Sequence, residues 1–172
     1  MVFEGLTYGS YTITETKAPS GYVPAAPIQI TIDDSNTYRP DHIVAVSEAI
    51  KNQHTQLTVI KWDDSGVETL NGAIFRIKNA DGKYVIANGE DGAYIFSGFS
   101  DSDDGATRFV TENSGSFSLE YLPMGSYTLE EIKAPDGFII LTGSVDFSIQ
   151  NEKTSVSINN TRIRSTLRLV KS

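Results

Sequence analysis

Residues 119–138 read LEYLPMGSYTLEEIKAPDGF, and residues 3–22 read FEGLTYGSYTITETKAPSGY. At a constant offset of 116 they align without a gap and match at eleven of twenty positions: Glu4/Glu120, Leu6/Leu122, Gly9/Gly125, Ser10/Ser126, Tyr11/Tyr127, Thr12/Thr128, Glu15/Glu131, Lys17/Lys133, Ala18/Ala134, Pro19/Pro135 and Gly21/Gly137. Self-similarity at a fixed spacing marks a repeat architecture and outranks any local reading. Within the later copy Tyr127, Leu129 and Glu131 alternate with Ser126, Thr128 and Glu130, the period of two that belongs to a strand. Ala134-Pro135-Asp136-Gly137 then supplies turn chemistry. The segment is a strand running into a turn, and the chain contains it twice.

Two weaker echoes order the rest. QLTVIKWD (56–63) resembles TLRLVKS (166–172), both apolar alternations ending in Lys, and EAIKNQ (48–53) resembles VSINNT (156–161). Each unit therefore opens on a Lys strand, carries the GSYT…KAP segment late and closes on an Asn strand. The expected organisation is the later part of one unit (1–53), one whole unit (54–162) and the first strand of a third (163–172). Met1 falls inside a domain, so the chain reads as a piece of a longer tandem array.

Within the whole unit, short runs with β-branched and aromatic residues predict strands at Thr55–Trp62, Ala73–Lys78, Lys83–Ala87, Ala93–Phe96, Thr107–Thr111, Ser116–Tyr121, Ser126–Ile132, Ser144–Gln150 and Thr154–Asn160. Gly- and Asn/Asp-rich turns separate them, at 63–66, 79–82, 88–92, 113–115 and 134–137. No stretch of a dozen residues keeps a helical period. The Ala45–Lys51 patch fits a short helix or a strand. Many short strands at this spacing predict an all-β sandwich.

Composition narrows the function. The chain has 172 residues, 14 Lys plus Arg against 22 Asp plus Glu, and a net charge of −8. That balance opposes nucleic acid, whose phosphates require a basic surface, and an anionic membrane surface. No apolar run approaches the ~20 residues of a membrane helix. With Cys at 0 there are no disulfides, thiolate metal sites or Cys nucleophiles. Only His42 and His54 could serve a His-dependent site, and both sit in linker-like sequence that reads as surface. No cofactor and no metal site is expected: the acidic loop Ser100–Gly105 lacks the spacing of a dedicated Ca²⁺ loop and reads as a solvated turn. Asn159-Asn160-Thr161 fits a glycosylation pattern by accident if Asn160 is buried.

Strand phase yields the sharpest expectation. Leu57, Val59 and Lys61 share one face; so do Tyr127, Leu129 and Glu131, and Val156, Ile158 and Asn160. Each core-like stripe ends in a functional group: an amine, a carboxyl, a carboxamide. The plain alternative is a solvated Lys at a strand end, a surface Glu131 paired with Lys133 and a turn-forming Asn160. If all three point inward, burial disfavours both charges, lowering an amine pKa and raising a carboxyl pKa. A neutral amine is a nucleophile, and a carboxylic acid polarises the amide beside it. Close confinement supplies an effective molarity on the order of 10⁵ M or more. The expected product is an amide between the Lys61 amine and the Asn160 side chain, with ammonia released: a cross-link that needs no Cys. Neighbouring Asn159 is the other candidate acceptor, and phase favours Asn160. The same phase recurs at Glu15 after Tyr11 and Ile13, at Asn52 after Ile50, and at Lys171 after Leu167 and Leu169.

At these residues the sequence resembles the Cna protein B-type domains (SpaA-like, prealbumin-fold) of Gram-positive surface adhesins and pilins. The resemblance rests on Val59–Asp63, Leu70–Phe75, Ala106–Thr111 and Gly125–Phe138, the last matching the pilin E-box pattern Y-x-L-x-E-x-x-A-P-x-G-[YF], which Tyr11–Tyr22 repeats. It implies a prealbumin-like, immunoglobulin-like Greek-key sandwich and an intramolecular Lys–Asn isopeptide bond assisted by the E-box Glu. Carried over, these are Lys61, Asn160 and Glu131 in the whole unit, Glu15 and Asn52 in the first, and Lys171 in the third. The implied role is a structural stalk or pilin module of an extracellular, cell-wall-anchored protein, with neighbouring repeats and other pilin subunits as partners. No sorting signal and no pilin-linking Lys motif is present in these residues. The alternative role is an adhesive module that binds a host matrix protein or glycan through loops such as 88–105. An enzyme is not expected, because no nucleophile–base pair is legible.

Overall fold

The computed structural model describes residues 3–35 and 50–169. In chain order the strands are β1 (Gly9–Ile13), β2 (Tyr22–Val23), β3 (Ile28–Ile32), β4 (Gln53–His54), β5 (Gln56–Asp63), β6 (Ile74–Asn79), β7 (Tyr84–Glu90), β8 (Ala93–Ser100), β9 (Phe109–Val110), β10 (Ser116–Glu120), β11 (Gly125–Lys133), β12 (Ser144–Ile149) and β13 (Lys153–Asn160). Among the described residues, the helical element is a single 3-10 turn at Asp103–Gly105. The protein is an all-β sandwich, as the alternation predicts.

Strands β5 to β13 form one hydrogen-bonded path, β12-β11-β6-β7-β8-β10-β5-β13, with β9 paired to β6. β7 joins β6 at one pair, Lys78↔Tyr84, and β8 along its whole length. The layer holding β12, β11 and β6 thereby folds over the layer holding β8, β10, β5 and β13. Inward positions from both layers meet in one core: Leu57, Val59, Phe75, Ile77, Phe117, Leu119, Tyr127, Leu129 and Ile158 are all buried. Such side chains each contribute about 1.5–3 kcal/mol relative to exposure. Phe117 stacks on Phe109 with centroids 5.2 Å apart, and Tyr94 meets Phe109 edge-on at 5.0 Å.

The first and last strands of this sandwich are neighbours. β13 runs parallel to β5, with Val156 opposite Val59, Ile158 opposite Lys61 and Asn160 opposite Asp63. On β5 every second residue from Leu57 to Asp63 is buried.

Three strands differ most in extent from the sequence expectation. The β7–β8 hairpin runs further, through Glu90 and back to Ser100, because Asp91 (φ 54) and Gly92 (φ 75) close it as a two-residue turn. Both central residues at positive φ is the type I′ pattern, whose twist matches the strands it joins. Much of the predicted 88–105 loop is therefore strand. β9 is shorter than predicted, because the Ala73 N–H goes to the Thr111 hydroxyl at 3.1 Å and the Thr107 N–H turns to the Val85 carbonyl of β7 at 3.1 Å. Thr107 Oγ1 accepts the Ala87 N–H at 2.7 Å, and the Thr111 hydroxyl donates to the Leu70 carbonyl at 2.8 Å.

Residues before β5 form smaller sheets. β1 pairs with β3 and β2 pairs with β4, both antiparallel. The Ala45–Lys51 segment lies largely outside the described residues, as do His42 and Lys171.

Candidate functional site

Lys61, Glu131 and Asn160 come from β5, β11 and β13 and meet at one end of the core, with residue exposures of 0%, 6% and 2%. Lys61 and Asn160 are near neighbours on adjacent parallel strands, since Ile158 lies opposite Lys61 and Asn160 follows on the same face. Glu131 reaches them from the other layer. There β11 carries a bulge: Glu131 pairs with Phe75 and Lys133 with Ile74, leaving Ile132 as the extra residue. A bulge bends and twists its strand locally, and this one falls where the carboxyl turns toward the amine.

The three side chains bond to one another. The Lys61 amine donates to Asn160 Oδ1 and lies 3.1 Å from Glu131 Oε1. The Asn160 Nδ2 group donates to Glu131 Oε1 at 2.9 Å and Oε2 at 3.0 Å. Glu131 Oε2 also accepts the Leu141 backbone N–H at 2.6 Å. The Phe75 ring lies 5.7 Å from the amine and closes the site on the core side. Burial pushes the Lys61 amine below the ordinary lysine range, against the opposing charge and hydrogen bond of Glu131. A lone buried ammonium costs several kcal/mol, so this pairing is what allows the group to stay inside. One proton shared between Lys61 and Glu131 leaves either an ion pair or a neutral amine beside a carboxylic acid. The second form holds a nucleophile, an acid and an amide in mutual contact.

Adjacent groups are occupied otherwise. Asn159 points its amide at the Asp63 carbonyl, 3.0 Å away, and takes no part in the cluster. Glu130, one residue before Glu131, faces outward and accepts from Arg76 at 2.5 Å and Lys78 at 2.9 Å. Buried Asp63 accepts the Ser65 hydroxyl and the Val67 and Glu68 N–H groups. The Ser65 hydrogen bond, with the backbone N–H donors, holds its carboxyl below the usual range. In the acidic loop, Asp103 is ion-paired with Arg76 and Arg108, each at 2.9 Å.

Residues before β5 repeat part of the cluster. Asn52 Nδ2 donates to Glu15 Oε2 at 2.5 Å and to the Val23 carbonyl at 3.0 Å, while the Ala25 N–H donates to Glu15 Oε2 at 2.8 Å. Glu15–Ala25 and Glu131–Leu141 have the same separation of ten residues. Among the described residues no lysine amine joins this pair. The backbone donors from Ala25 and Leu141, the Phe75 wall and buried Asp63 went unforeseen in the sequence reading. Asp63 alone left a signal, since it continues the Leu57–Val59–Lys61 stripe. His54, expected at the surface, is half-buried and stacks on Tyr121 at 4.6 Å.

A family model described as "SpaA: Prealbumin-like fold domain" matches residues 1–42 and 55–162. Among solved structures, the C-terminal domain of shaft pilin SpaA from Lactobacillus rhamnosus GG is similar at 26% identity and a TM-score of 0.56, covering 63% of this chain and 98% of that one. The longer SpaA shaft pilin structure from the same organism matches at 25% identity and a TM-score of 0.57, covering 92% of this chain and 66% of that one, just under two thirds of its length. The group B streptococcus pilus 2b backbone protein shares the fold at 21% identity and a TM-score of 0.56, covering 87% of this chain and 52% of that one. No curated protein matches the sequence.

Proposed function

The chain belongs to the family of SpaA prealbumin-like fold domains, and from that premise we propose that it is a structural module of a Gram-positive pilus shaft, locked by an isopeptide bond between Lys61 and Asn160. The observation that carries the cross-link is the convergence of an amine, a carboxyl and a carboxamide from three strands in one buried cluster. The family and the similarity to shaft pilins carry the structural role.

The step conserves atoms without any co-reactant. Lys61 passes a proton to Glu131 and attacks Asn160 Cγ as a neutral amine. Glu131, hydrogen-bonded to Nδ2, delivers that proton to Nδ2, which leaves as ammonia, and takes back the proton that the Lys61 nitrogen sheds as it becomes the new amide. A preorganised acid and nucleophile in a dry site supply what the weakly electrophilic amide lacks. Each domain reacts once and consumes its own residues, so this is self-modification without turnover. As a shaft module the protein would sit on the cell surface among other pilin subunits.

In the same reading, residues 1–53 are the later part of one repeat, 54–162 a whole repeat and 163–172 the opening strand of a third. Glu15 and Asn52 are then the carboxyl and acceptor of the first repeat, and Lys171 the amine of the third. The deciding test is intact mass. Folded wild-type chain should weigh one ammonia less than its sequence, and Glu131→Ala should restore the full mass. Full-mass wild type in a folded sample overturns the cross-link and leaves the family assignment standing.

A further inference from the structure

The two KAP segments end in the same local structure, and only one end is covered. In the first, the Tyr22 N–H donates to the Pro19 carbonyl at 3.1 Å, and the Thr55 N–H donates to the Gly21 carbonyl at 2.9 Å. In the second, the Phe138 N–H donates to Pro135 at 3.1 Å, and the Ile163 N–H donates to Gly137 at 2.8 Å. Tyr22 pairs with His54 across the first end, and Phe138 with Arg162 across the second. Gly21 and Gly137 hold φ of 81° and 84°. The two ends are one structure built twice.

At the first end, the β10–β11 turn of the following sandwich is seated. A Cβ on Gly21 would lie 2.6 Å from the Tyr121 carbonyl oxygen, so the backbones touch. Tyr121 meets Tyr22 edge-on at 5.6 Å and stacks on His54 at 4.6 Å. The Tyr121 N–H donates to the Thr55 carbonyl at 2.9 Å, the Thr55 hydroxyl donates to the Leu122 carbonyl at 2.6 Å, and Thr55 is fully buried. Tyr121 adopts φ 62° in that turn, a conformation unfavourable for an aromatic residue. Contact with Gly21 and Thr55 helps to hold it.

At the second end nothing among the described residues is seated. A Cβ on Gly137 would meet open space, and Ile163 and Ile139 are 57% and 53% exposed. Arg162 lies over the Phe138 ring at 4.8 Å, a planar cation in the place of His54. Leu167 and Leu169 continue an apolar alternation while 84% and 87% exposed.

We propose that the Gly137–Phe138–Arg162–Ile163 face is a socket for the β10–β11 turn of another sandwich of this kind, one that presents a tyrosine as Tyr121 does. The occupant follows in the same chain and takes the strand around Leu167 and Leu169 as its first. The argument is continuity with the covered joint: the same glycine, the same aromatic, the same backbone pairing and a flat cation ready to stack. One difference is measurable. Leu57 lies three residues beyond His54, whereas Leu167 lies five beyond Arg162, so the second tether has two more residues. The inference is independent of the Lys61–Asn160 bond.

The absence of cysteine makes a clean spin-label test available. The full chain through Lys171 is continued from Trp62 to Arg162 of a second copy, and Ser144→Cys is placed in both sandwiches for pulsed dipolar distance measurement. The socket predicts one narrow distance distribution. Gly137→Asn tolerates the positive φ better than other substitutions but fills the contact point, and should at least double the width. Tyr121→Ala in the appended copy should do the same from the opposite side. An unchanged thermal midpoint for Gly137→Asn in the unextended chain excludes misfolding of that variant. Tyr121 already serves the first joint there, so the appended-copy Tyr121→Ala is controlled by an unchanged circular-dichroism spectrum of the extended chain. A broad distribution in the parent overturns the proposal, and so does a narrow one that neither substitution widens.

Discussion

Replacing Glu131 by Gln should keep the core and lose the bond. Gln preserves length and shape, still accepts the Leu141 N–H and the Asn160 amide through its oxygen, and cannot shuttle a proton. The closed loop removed from the unfolded state spans the 99-residue separation of Lys61 and Asn160. By the chain-entropy treatment of a disulfide closing a loop of about 100 residues, its loss destabilises by about 4.7 kcal/mol. For a sandwich of roughly 100 residues the unfolding entropy is about 2.1 cal/mol/K per residue, so that loss lowers the midpoint by roughly 20 °C. The Lys61 amine, left without its carboxylate partner, deepens the drop, which makes this a floor. The assay is differential scanning calorimetry on samples whose intact mass is known. Two results refute the reasoning: a Glu131→Gln chain that still lacks one ammonia, or a full-mass chain whose midpoint falls by less than about 5 °C.

Further outcomes follow from the same geometry. Asn160→Ala should give full intact mass, whereas Asn159→Ala should keep the deficit, because the Asn159 amide bonds to the Asp63 carbonyl; the reverse pattern would reassign the acceptor. In Glu131→Ala, burial alone acts on Lys61 and holds its pKa below the unfolded value of 10.5. The unfolded chain then binds one more proton, so urea midpoints should rise with pH across that window, by up to about 1.4 kcal/mol per unit; a flat or falling profile contradicts the burial argument. Gly21→Asn places a side chain against the Tyr121 backbone and should widen the distance distribution between labels at Thr14→Cys and Ser144→Cys; an unchanged width means the joint is not held there. Proteolysis followed by mass spectrometry should find a peptide joining Lys171 to Asn52 if a free third-repeat strand complements the first repeat. Its absence, with monomeric elution, removes that proposal.

Much of this was legible because strand physics is local. The alternation of Leu57, Val59 and Lys61 on β5, and of Tyr127, Leu129 and Glu131 on β11, sets which groups face the core, and the structure keeps that phase through all three site strands. The repeat added what one unit could not, since Glu15 recurs in the phase of Glu131. Contributions from irregular backbone were illegible. The Leu141 and Ala25 N–H groups that anchor the carboxylates belong to segments without alternation, and any residue but proline could supply them. The joint at Gly21 was hidden for another reason. It depends on Tyr121 in a left-handed turn, and hydrophobic period reports nothing about backbone conformation. His54 looked like linker for the same reason, because its partner lies 67 residues away.

The placement of the cluster follows from the direction of β5 and β13. In the proposed array, load would enter this sandwich near Thr55 and leave near Arg162, at opposite ends of a parallel strand pair. Without a cross-link, such a load shears the Gln56–Asp63 and Lys153–Asn160 ladder lengthwise, and everything between them can be drawn out. At about 3.3–3.6 Å per residue, the 99 residues between Lys61 and Asn160 would lengthen the unit by roughly 330–360 Å. Lys61 lies near the downstream end of β5 and Asn160 at the downstream end of β13. A bond there carries the load from one strand to the other before it reaches β6, so the remaining strands bear none of it. The same bond near the upstream ends would leave most of β13 in the loaded path, held only by hydrogen bonds. If the proposed bond forms, this chain without cysteine holds a covalent staple near the downstream ends of both strands, where the load path through the sandwich is short.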